Sequence, residues 1–297
     1  MYRSVSRVLG MALVLIWAAA APAGAQGDWP SRNVRVILPY APGGSTDAVA
    51  RPFADGLSKA LGHPFVIDYR GGAGGAIGTE AAAKAAPDGY TILLSPSATM
   101  LVVPLVRKTA YSKDDLIPVA RVGDTMAALS IHPSLGVNTL QELIDLAKKK
   151  PGGLACGSAG MATGTHLRCE MLRFKAGVDI LHVPYRGSAE ALNDLLPGTV
   201  HMMWEIVTFP HAKAGKLKLL AMYSPIRHPD FPDVPTLAET GWGQIDVPIW
   251  FGFFVPKGTP EAIMTKLNAE TVKISSTPEM RERLMQRHRQ VGPLSPY

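Results

Sequence analysis

The segment from Asn33 to Asp47 reads N-V-R-V-I-L-P-Y-A-P-G-G-S-T-D and decides the fold class. Apolar residues alternate in its first half, which is typical of a β-strand, and the chain over 48–61 then follows a helical period. A loop of glycine and hydroxyl residues therefore joins the end of a strand to the start of a helix. Gly43 and Gly44 would let the backbone approach a ligand, and we expect Gly44 to need glycine dihedrals.

Three polar side chains follow these glycines, and they suit two roles. Ser45, Thr46 and Asp47 can cap the helix, and the unpaired amides of a first helical turn can bind an anion. Capping and ligand binding are not exclusive, and capping alone is the alternative. The loop is therefore a candidate binding site.

The first residues indicate export. Arg3 and Arg7 precede an apolar run over 8–21, and Ala23-Gly24-Ala25 has the small-x-small pattern of a signal-peptidase site. The run is too short for a membrane-spanning helix. We therefore expect residues 1–25 to be a signal peptide and the mature protein to begin near Gln26 in the periplasm. An uncleaved anchor is the alternative.

Composition favours a globular protein of two domains: the chain has 297 residues, of which 47% are hydrophobic and 18% charged. Without Arg3 and Arg7, 28 of the 30 basic residues remain against 24 acidic ones, a net charge of about +4. No basic run is interleaved with aromatic residues, so we expect no nucleic-acid partner, although this charge would help attract an anion. Cys156 and Cys169 either form one bridge or are two buried thiols.

Strand and helix signals alternate through the rest of the chain. We predict strands at 65–69, 90–95, 126–132, 154–157, 180–185, 200–205, 217–223 and 250–256. We predict helices at 79–86, at 140–150 behind a capping box of Thr139 and Glu142, and after the Thr-Pro-Glu triplets at 259–261 and 277–279. This alternation predicts an α/β fold with largely parallel sheets and a ligand cleft at the carboxyl ends of strands.

Six motifs follow one another along the chain. They are the loop at 38–47, R-G-G-A-G-G-A-I-G at 70–78, P-D-G-Y-T at 87–91, S-A-G-M-A-T-G-T-H-L at 158–167, V-P-Y-R-G at 183–187 and P-T-L-A-E-T-G at 235–241. In content and order they resemble the Bug family, the extracytoplasmic solute receptors of tripartite tricarboxylate transport systems. The resemblance covers nearly the whole mature chain.

The resemblance implies a two-domain fold like that of periplasmic binding proteins, a Venus flytrap with mainly parallel sheets and a central ligand cleft. Domain 1 would comprise 26–124 plus 249–297, and domain 2 would comprise 125–248. The protein would be a monomeric receptor and not an enzyme, with no cofactor and no metal. It would capture a small carboxylate-bearing molecule and deliver it to a membrane permease of the tripartite type. Presentation of the ligand to a sensor protein is the alternative output.

The resemblance also implies which residues hold the ligand, in two facing loops and along the cleft. The first loop would contribute Gly43, Gly44, Ser45, Thr46 and Asp47, the facing loop Ser158, Gly160, Ala162 and Thr163, the cleft wall Ser95 and Thr99, and the far end Tyr185, Arg186, Trp204 and Glu205. Two departures from the family pattern stand out. Ala162 replaces the second glycine of S-x-G-x-G, which would stiffen that loop, and the family's receptors usually continue beyond the position of Tyr297 into one more helix.

Several of these features have simpler interpretations. The glycine-rich run at 70–78 lacks nucleotide-binding spacings and is typical of a tight turn. His166 lies at helical spacing from Glu170 and suits packing or capping better than metal binding. Arg186 suits a surface ion pair and an anion-selecting cleft cation equally well.

A secreted serine hydrolase is the alternative from a different class. The sequence C-G-S-A-G at 156–160 resembles the G-x-S-x-G elbow, but Cys156 stands where the first glycine belongs. His166 follows within the same segment, whereas that hydrolase order places the histidine late in the chain, after an acid. An esterase assay with Ser158→Ala separates the two classes, because a receptor shows no turnover in either form.

We predict that protein isolated from the cell envelope starts at or next to Gln26, because Ala23 and Ala25 supply the small side chains that the peptidase requires. Intact-mass measurement checks this prediction. Retention of Met1 on the exported protein would contradict it.

Overall fold

The computed structural model describes residues 29–124, 126–243 and 249–280. The strands in these ranges are β1 (Val34–Leu38), β2 (Phe65–Tyr69), β3 (Thr91–Pro96), β4 (Leu116–Asp124), β5 (Ala127–Ile131), β6 (Ala155–Ser158), β7 (Leu181–Pro184), β8 (Met202–Glu205), β9 (Lys218–Tyr223) and β10 (Trp250–Pro256). The α-helices are α1 (Ser45–Leu61), α2 (Ala76–Ala83), α3 (Ala98–Leu101), α4 (Val103–Val106), α5 (Leu140–Lys149), α6 (Gly164–Ala176), α7 (Ser188–Leu195), α8 (Phe209–Lys213) and α9 (Glu261–Ser276). The predicted signal peptide and the chain beyond 280 lie outside the described residues.

The strands form two five-stranded sheets, ordered β2-β1-β3-β10-β4 and β7-β6-β8-β5-β9. In the first sheet β1 pairs in parallel with β2 and β3, while β10 is antiparallel to β3 and β4. In the second, β6 pairs in parallel with β7 and β8, while β5 is antiparallel to β8 and β9. The chain leaves the first sheet after β4 and returns to it at β10.

This topology confirms the α/β fold with two domains, each built on one sheet, but it corrects the expectation of mainly parallel sheets. Both sheets are mixed. The reason is that β5 and β10 arrive from the other domain, so each starts at the junction between the domains and runs away from it. Their neighbours β8 and β3 end at that junction, and the pairing is therefore antiparallel.

Each sheet has its own apolar core. In the first domain, α1 packs Phe53 edge to face against Phe253 of β10, with ring centroids 6.0 Å apart. In the second, Trp204 of β8 and Leu172 of α6 lie in one buried cluster. Burial of each such side chain contributes about 1.5–3 kcal/mol. The two cores therefore stabilise the domains separately.

The predicted strands agree with the observed ones to within two residues, but β4 was missed. Its sequence contains Pro118 and Gly123, which weaken a local strand signal. Pairing with β10 nevertheless makes it a strand, with two register shifts that accommodate the irregular sequence. Tertiary pairing therefore overrides a poor local propensity here.

The predicted helix starts need three corrections. Helices α1 and α2 both begin three residues earlier than predicted, at Ser45 and Ala76. Thr259 does not cap α9, because its hydroxyl donates to the carbonyl of Pro256 (2.7 Å) and Pro260 is the N-cap. None of the helices in the described ranges combines the length and the apolar content that a membrane span requires.

Cys156 and Cys169 form a disulfide, so of the two possibilities left open by the sequence the bridge is the one observed. The bridge joins β6 to α6 across a sequence separation of 13 residues. Both sulfur-bearing residues are buried in the core of the second domain. The loop between β6 and α6 is therefore fixed at both of its ends.

We predict that replacing both cysteines, in Cys156→Ala with Cys169→Ala, lowers the free energy of unfolding by about 3 kcal/mol, because a loop of this length is no longer closed in the unfolded chain. Chemical denaturation followed by circular dichroism measures the change. Wild-type protein under a reducing agent is the matched control and should lose a similar amount. Unchanged stability in both samples would show that the bridge adds nothing to the fold.

Candidate functional site

A small cavity of about 40 Å³ lies between the two domains. Since a buried water needs roughly 10–15 Å³ by the same measure, the cavity has room for about three waters. The first domain lines it with Tyr40, Gly44, Ser45, Thr46, Pro96, Ile249 and Phe251, and the second with Met126, Ala159, Thr163, Gly164, Thr165, Arg168, Ser188 and Glu205. The cavity thus combines apolar walls with hydroxyl groups and two buried charged side chains.

Glu205 is the acidic member of the lining and is held from both domains. Its Oε1 accepts a hydrogen bond from Ser45 Oγ of the first domain (3.0 Å) and a short one from Ser188 Oγ of the second. Its Oε2 accepts from the backbone N–H of Ile206 (2.9 Å). Burial raises the pKa of Glu205, while these hydrogen bonds and the charge of Arg168 oppose the rise. Glu205 therefore bridges the two domains.

Arg168 is the basic member of the lining and was not predicted from the sequence. It lies on α6, is only 2% exposed, and places its guanidinium 4.0 Å from the centre of the Tyr223 ring. The helical spacing of Thr165, Arg168 and Leu172 places them on one face of α6, and the structure buries that face. A charged residue on such a face calls for a functional explanation.

The first loop is held together mainly by Asp47. Its carboxylate accepts from the N–H of Gly43 (2.9 Å), from the hydroxyl of Tyr69 (2.6 Å) and from Arg51 Nε (3.1 Å). Asp47 therefore stabilises the loop and does not face the cavity. Gly44, the N-cap of α1, has extended backbone with a φ of −86°, whereas Gly43 has a φ of +81°. The expectation that Gly44 needs glycine dihedrals was wrong, and Gly43 is the residue that needs them.

The facing loop uses most of its polar groups internally. The N–H of Gly160 donates to Ser158 Oγ (3.1 Å), and the N–H of Ala162 donates to His166 Nδ1 (3.1 Å). Thr163 accepts from the N–H of His166 (3.3 Å) as the N-cap of α6. Of the four residues predicted here, only Thr163 lines the cavity. Ala162 has a φ of +64°, the left-handed conformation that glycine would adopt without strain.

The remaining predicted residues lie outside the cavity lining. Ser95 and Thr99 are buried and share a hydrogen bond of 2.6 Å behind Pro96. Tyr185 donates its hydroxyl to Asp194 (2.6 Å), and Arg186 is exposed at the surface. Trp204 lies in the core of the second domain, because successive residues of a strand face opposite sides and Glu205 takes the side of the cavity. Of the four residues expected at the far end, the structure brings only Glu205 to the cavity.

Ser158, the serine of the hydrolase-like sequence, has His182 as a hydrogen-bond partner. Its Oγ lies 2.6 Å from His182 Nε2, and the His166 ring lies against the His182 ring at a tilt of 40°, with centroids 4.1 Å apart. Burial, together with the neighbouring His166, lowers the pKa of His182 to about 4. Ser158 is fully buried, and its hydroxyl is not exposed to the cavity. This geometry is that of a structural hydrogen bond beneath the loop.

Within 29–124, 126–243 and 249–280, no group of three or more His, Cys, Asp or Glu side chains is arranged to hold a metal ion. The polar groups of the cavity are hydroxyls, one guanidinium and one carboxylate. Such a set suits an organic molecule bound through hydrogen bonds and charge.

Comparison with known proteins agrees with this geometry. Residues 49–294 match the model of the tripartite tricarboxylate transporter family receptor. The chain belongs to this family. It is 39% identical over 273 residues to the protein BugT of Bordetella pertussis, which covers 89% of this chain and 83% of BugT. The resemblance to the Bug family is therefore confirmed, and the family is one of solute-binding receptors.

Two solved members of the family contain carboxylates. MatC from Rhodopseudomonas palustris, solved with bound malate, is 34% identical with a TM-score of 0.82 and matches 87% of this chain and 89% of its own. A second R. palustris protein, solved with adipate, is 33% identical with a TM-score of 0.83 and matches 90% of this chain and 91% of its own. The family is thus one of periplasmic binding proteins, and these two members bind carboxylates.

The two domains also touch beside the cavity, at glycines. A Cβ atom at Gly74, in the first domain, would lie 2.1 Å from the carbonyl oxygen of Met161 in the second. Gly74 has a φ of +68°. The close approach of the domains therefore depends on the absence of a side chain at this position.

We predict that Gly74→Ala holds the domains apart, because the new methyl group would overlap Met161. Gly136→Ala is the matched control, since Gly136 has nearly the same φ of +67° and nothing within 4 Å of the position of a Cβ. Both variants should lose about 1–2 kcal/mol of stability through their backbone conformation, but only Gly74→Ala should increase the radius of gyration in small-angle X-ray scattering. Equal radii for the two variants would contradict the role given to Gly74.

Proposed function

We propose that this protein is an extracytoplasmic solute receptor that captures a small carboxylate-bearing molecule between its two domains and delivers it to a membrane permease of the tripartite type. The observation that supports this most directly is the cavity at the domain junction, which is lined from both sides and contains the buried guanidinium of Arg168. A ligand that contacts both linings favours the closed arrangement by its differential affinity for it.

The polar lining fits a carboxylate. Arg168 offers planar N–H donors, the group best suited to a carboxylate. Thr163 and Thr165 line the cavity at the start of the helix that bears Arg168. Their hydroxyls are bonded to each other (2.9 Å), and that of Thr163 donates to the carbonyl of Gly160 (2.7 Å). Malate and adipate, found in the two solved relatives, differ in length but share carboxylate ends. We therefore place the ligand carboxylate against α6.

The proposed site differs in part from the one expected from the sequence. Gly44, Ser45, Thr46, Thr163 and Glu205 remain as ligand-contacting candidates. Arg168, Thr165 and Ser188 join them as new ones. We keep the expected division of the chain, with 26–124 and 249–297 in one domain and 125–248 in the other, because the two sheets are built from these segments. Export to the periplasm, with cleavage near Ala25, belongs to the same proposal.

We predict that carboxylic acids raise the melting temperature of the purified protein after removal of any co-purified ligand by unfolding and refolding. A screen that includes malate and adipate measures this, and a ligand at ~100 times its Kd should add roughly 2.7 kcal/mol to stability. The neutral amides of the same acids are the matched control and should leave the melting temperature unchanged. A flat response to every carboxylate would contradict the proposal.

We further predict that Arg168→Met weakens binding of the best acid roughly 10- to 150-fold, because a charge-assisted interaction contributes about 1.5–3 kcal/mol. Arg186→Met is the control, since that arginine is exposed and lies outside the cavity lining. Isothermal titration calorimetry on both variants shows which arginine binds the carboxylate. A greater loss in Arg186→Met than in Arg168→Met would move the carboxylate to the other end of the cleft.

A further inference from the structure

We infer that the ligand carries a positively charged or strongly hydrogen-bond-donating group, such as an ammonium, in addition to its carboxylate, and that Glu205 selects for this group. The inference rests on the proposed function and names the class of solute within it. It starts from the fact that the cavity contains buried side chains of both signs, Arg168 and Glu205, which are 2% and 4% exposed.

The two charged groups sit on different parts of the lining. Arg168 lies beside Gly164, where a Cβ atom would be 3.7 Å from its NH1 and 2.9 Å from Ile249. Glu205 lies beside Ser45 and Ser188, whose hydroxyls donate hydrogen bonds to its carboxylate. The guanidinium acts on the Glu205 carboxylate through charge and not among its hydrogen-bond donors. A molecule in the cavity therefore meets side chains of both signs.

Glu205 also has acceptor capacity left. An ionised carboxylate can accept about four hydrogen bonds, and those seen in the described residues come from Ser45, Ser188 and the backbone of Ile206. A ligand donor can therefore bind Oε2, the oxygen with the single partner. Burial penalises the charge of Glu205, and an ammonium placed there would relieve that penalty, whereas a second ligand carboxylate would increase it.

A purely structural role for Glu205 is the competing interpretation. Its hydrogen bond with Ser45 joins the two domains, so the residue could act only as a latch that favours closure. A latch would change the affinity for all ligands by the same factor. A selector changes the ratio between ligands that differ in one charge, and this difference makes the two interpretations separable.

The test uses pairs of acids with the same carbon chain, one with and one without an amino group: succinate and aspartate, glutarate and glutamate, propionate and β-alanine, butyrate and 4-aminobutyrate. Calorimetry on the wild-type protein should give the amino member of at least one pair an affinity roughly tenfold or more above its partner. Tighter binding of the plain acid in every pair would overturn the inference and leave the proposed receptor function intact. Failure of all eight acids to bind would count against both.

Variants of Glu205 then assign the selection. Glu205→Gln should reduce the preference within the pair to near unity, and Glu205→Asp, which keeps the charge, should retain part of it. Glu261→Gln, an exposed residue of α9, is the charge-matched control and should keep the full preference. An equal loss of affinity for both members of the pair in Glu205→Gln would show a latch, and the inference would be wrong. Circular dichroism of each variant verifies that the fold is kept.

Discussion

The carboxylate of Glu205 lies where the two domains meet. Its need for hydrogen-bond donors constrains both the residues around it and the arrangement of the domains. A buried carboxylate is costly unless donors surround it. Here the donors come from α1 in the first domain, from α7 in the second and from the backbone that follows β8. Because one donor lies across the junction, separation of the domains would leave Glu205 with fewer partners. The charge inside the cavity and the arrangement of the domains are therefore coupled.

Much of the fold could be predicted because it is decided by local patterns. Alternation of apolar residues located the strands from β1 to β10 apart from β4, and glycine and proline marked their ends. The direction of pairing could not be predicted in the same way. The direction of pairing depends on where the chain crosses between the domains. The residues of β5 and β10 do not indicate that each strand enters its sheet from the other domain.

The site could be predicted only in outline, for a related reason. The loop at the start of α1 was recognised because its residues are contiguous in sequence. Arg168 and Ser188 reach the cavity from separate helices, and no local motif joins them to Ser45. Trp204 and Glu205 were expected together, but the alternation of a strand separates them, and this alternation is itself readable from the sequence. Tyr185 and Arg186 follow the edge strand β7 and lie outside the lining, whereas Ser188, a few residues later, lies within it.

The disulfide has a consequence for binding as well as for the fold. It joins β6 to the second turn of α6, and these segments enclose the loop that bears Thr163. A flexible loop loses conformational entropy when a ligand orders it, and this loss is subtracted from the affinity. The disulfide restrains the segments on both sides of this loop, and two of its amides are bonded to Ser158 and His166. The loop has therefore already lost much of its conformational freedom during folding. One wall of the cavity is therefore preorganised, and the ordering that remains on ligand capture falls mainly on the movement of one domain against the other.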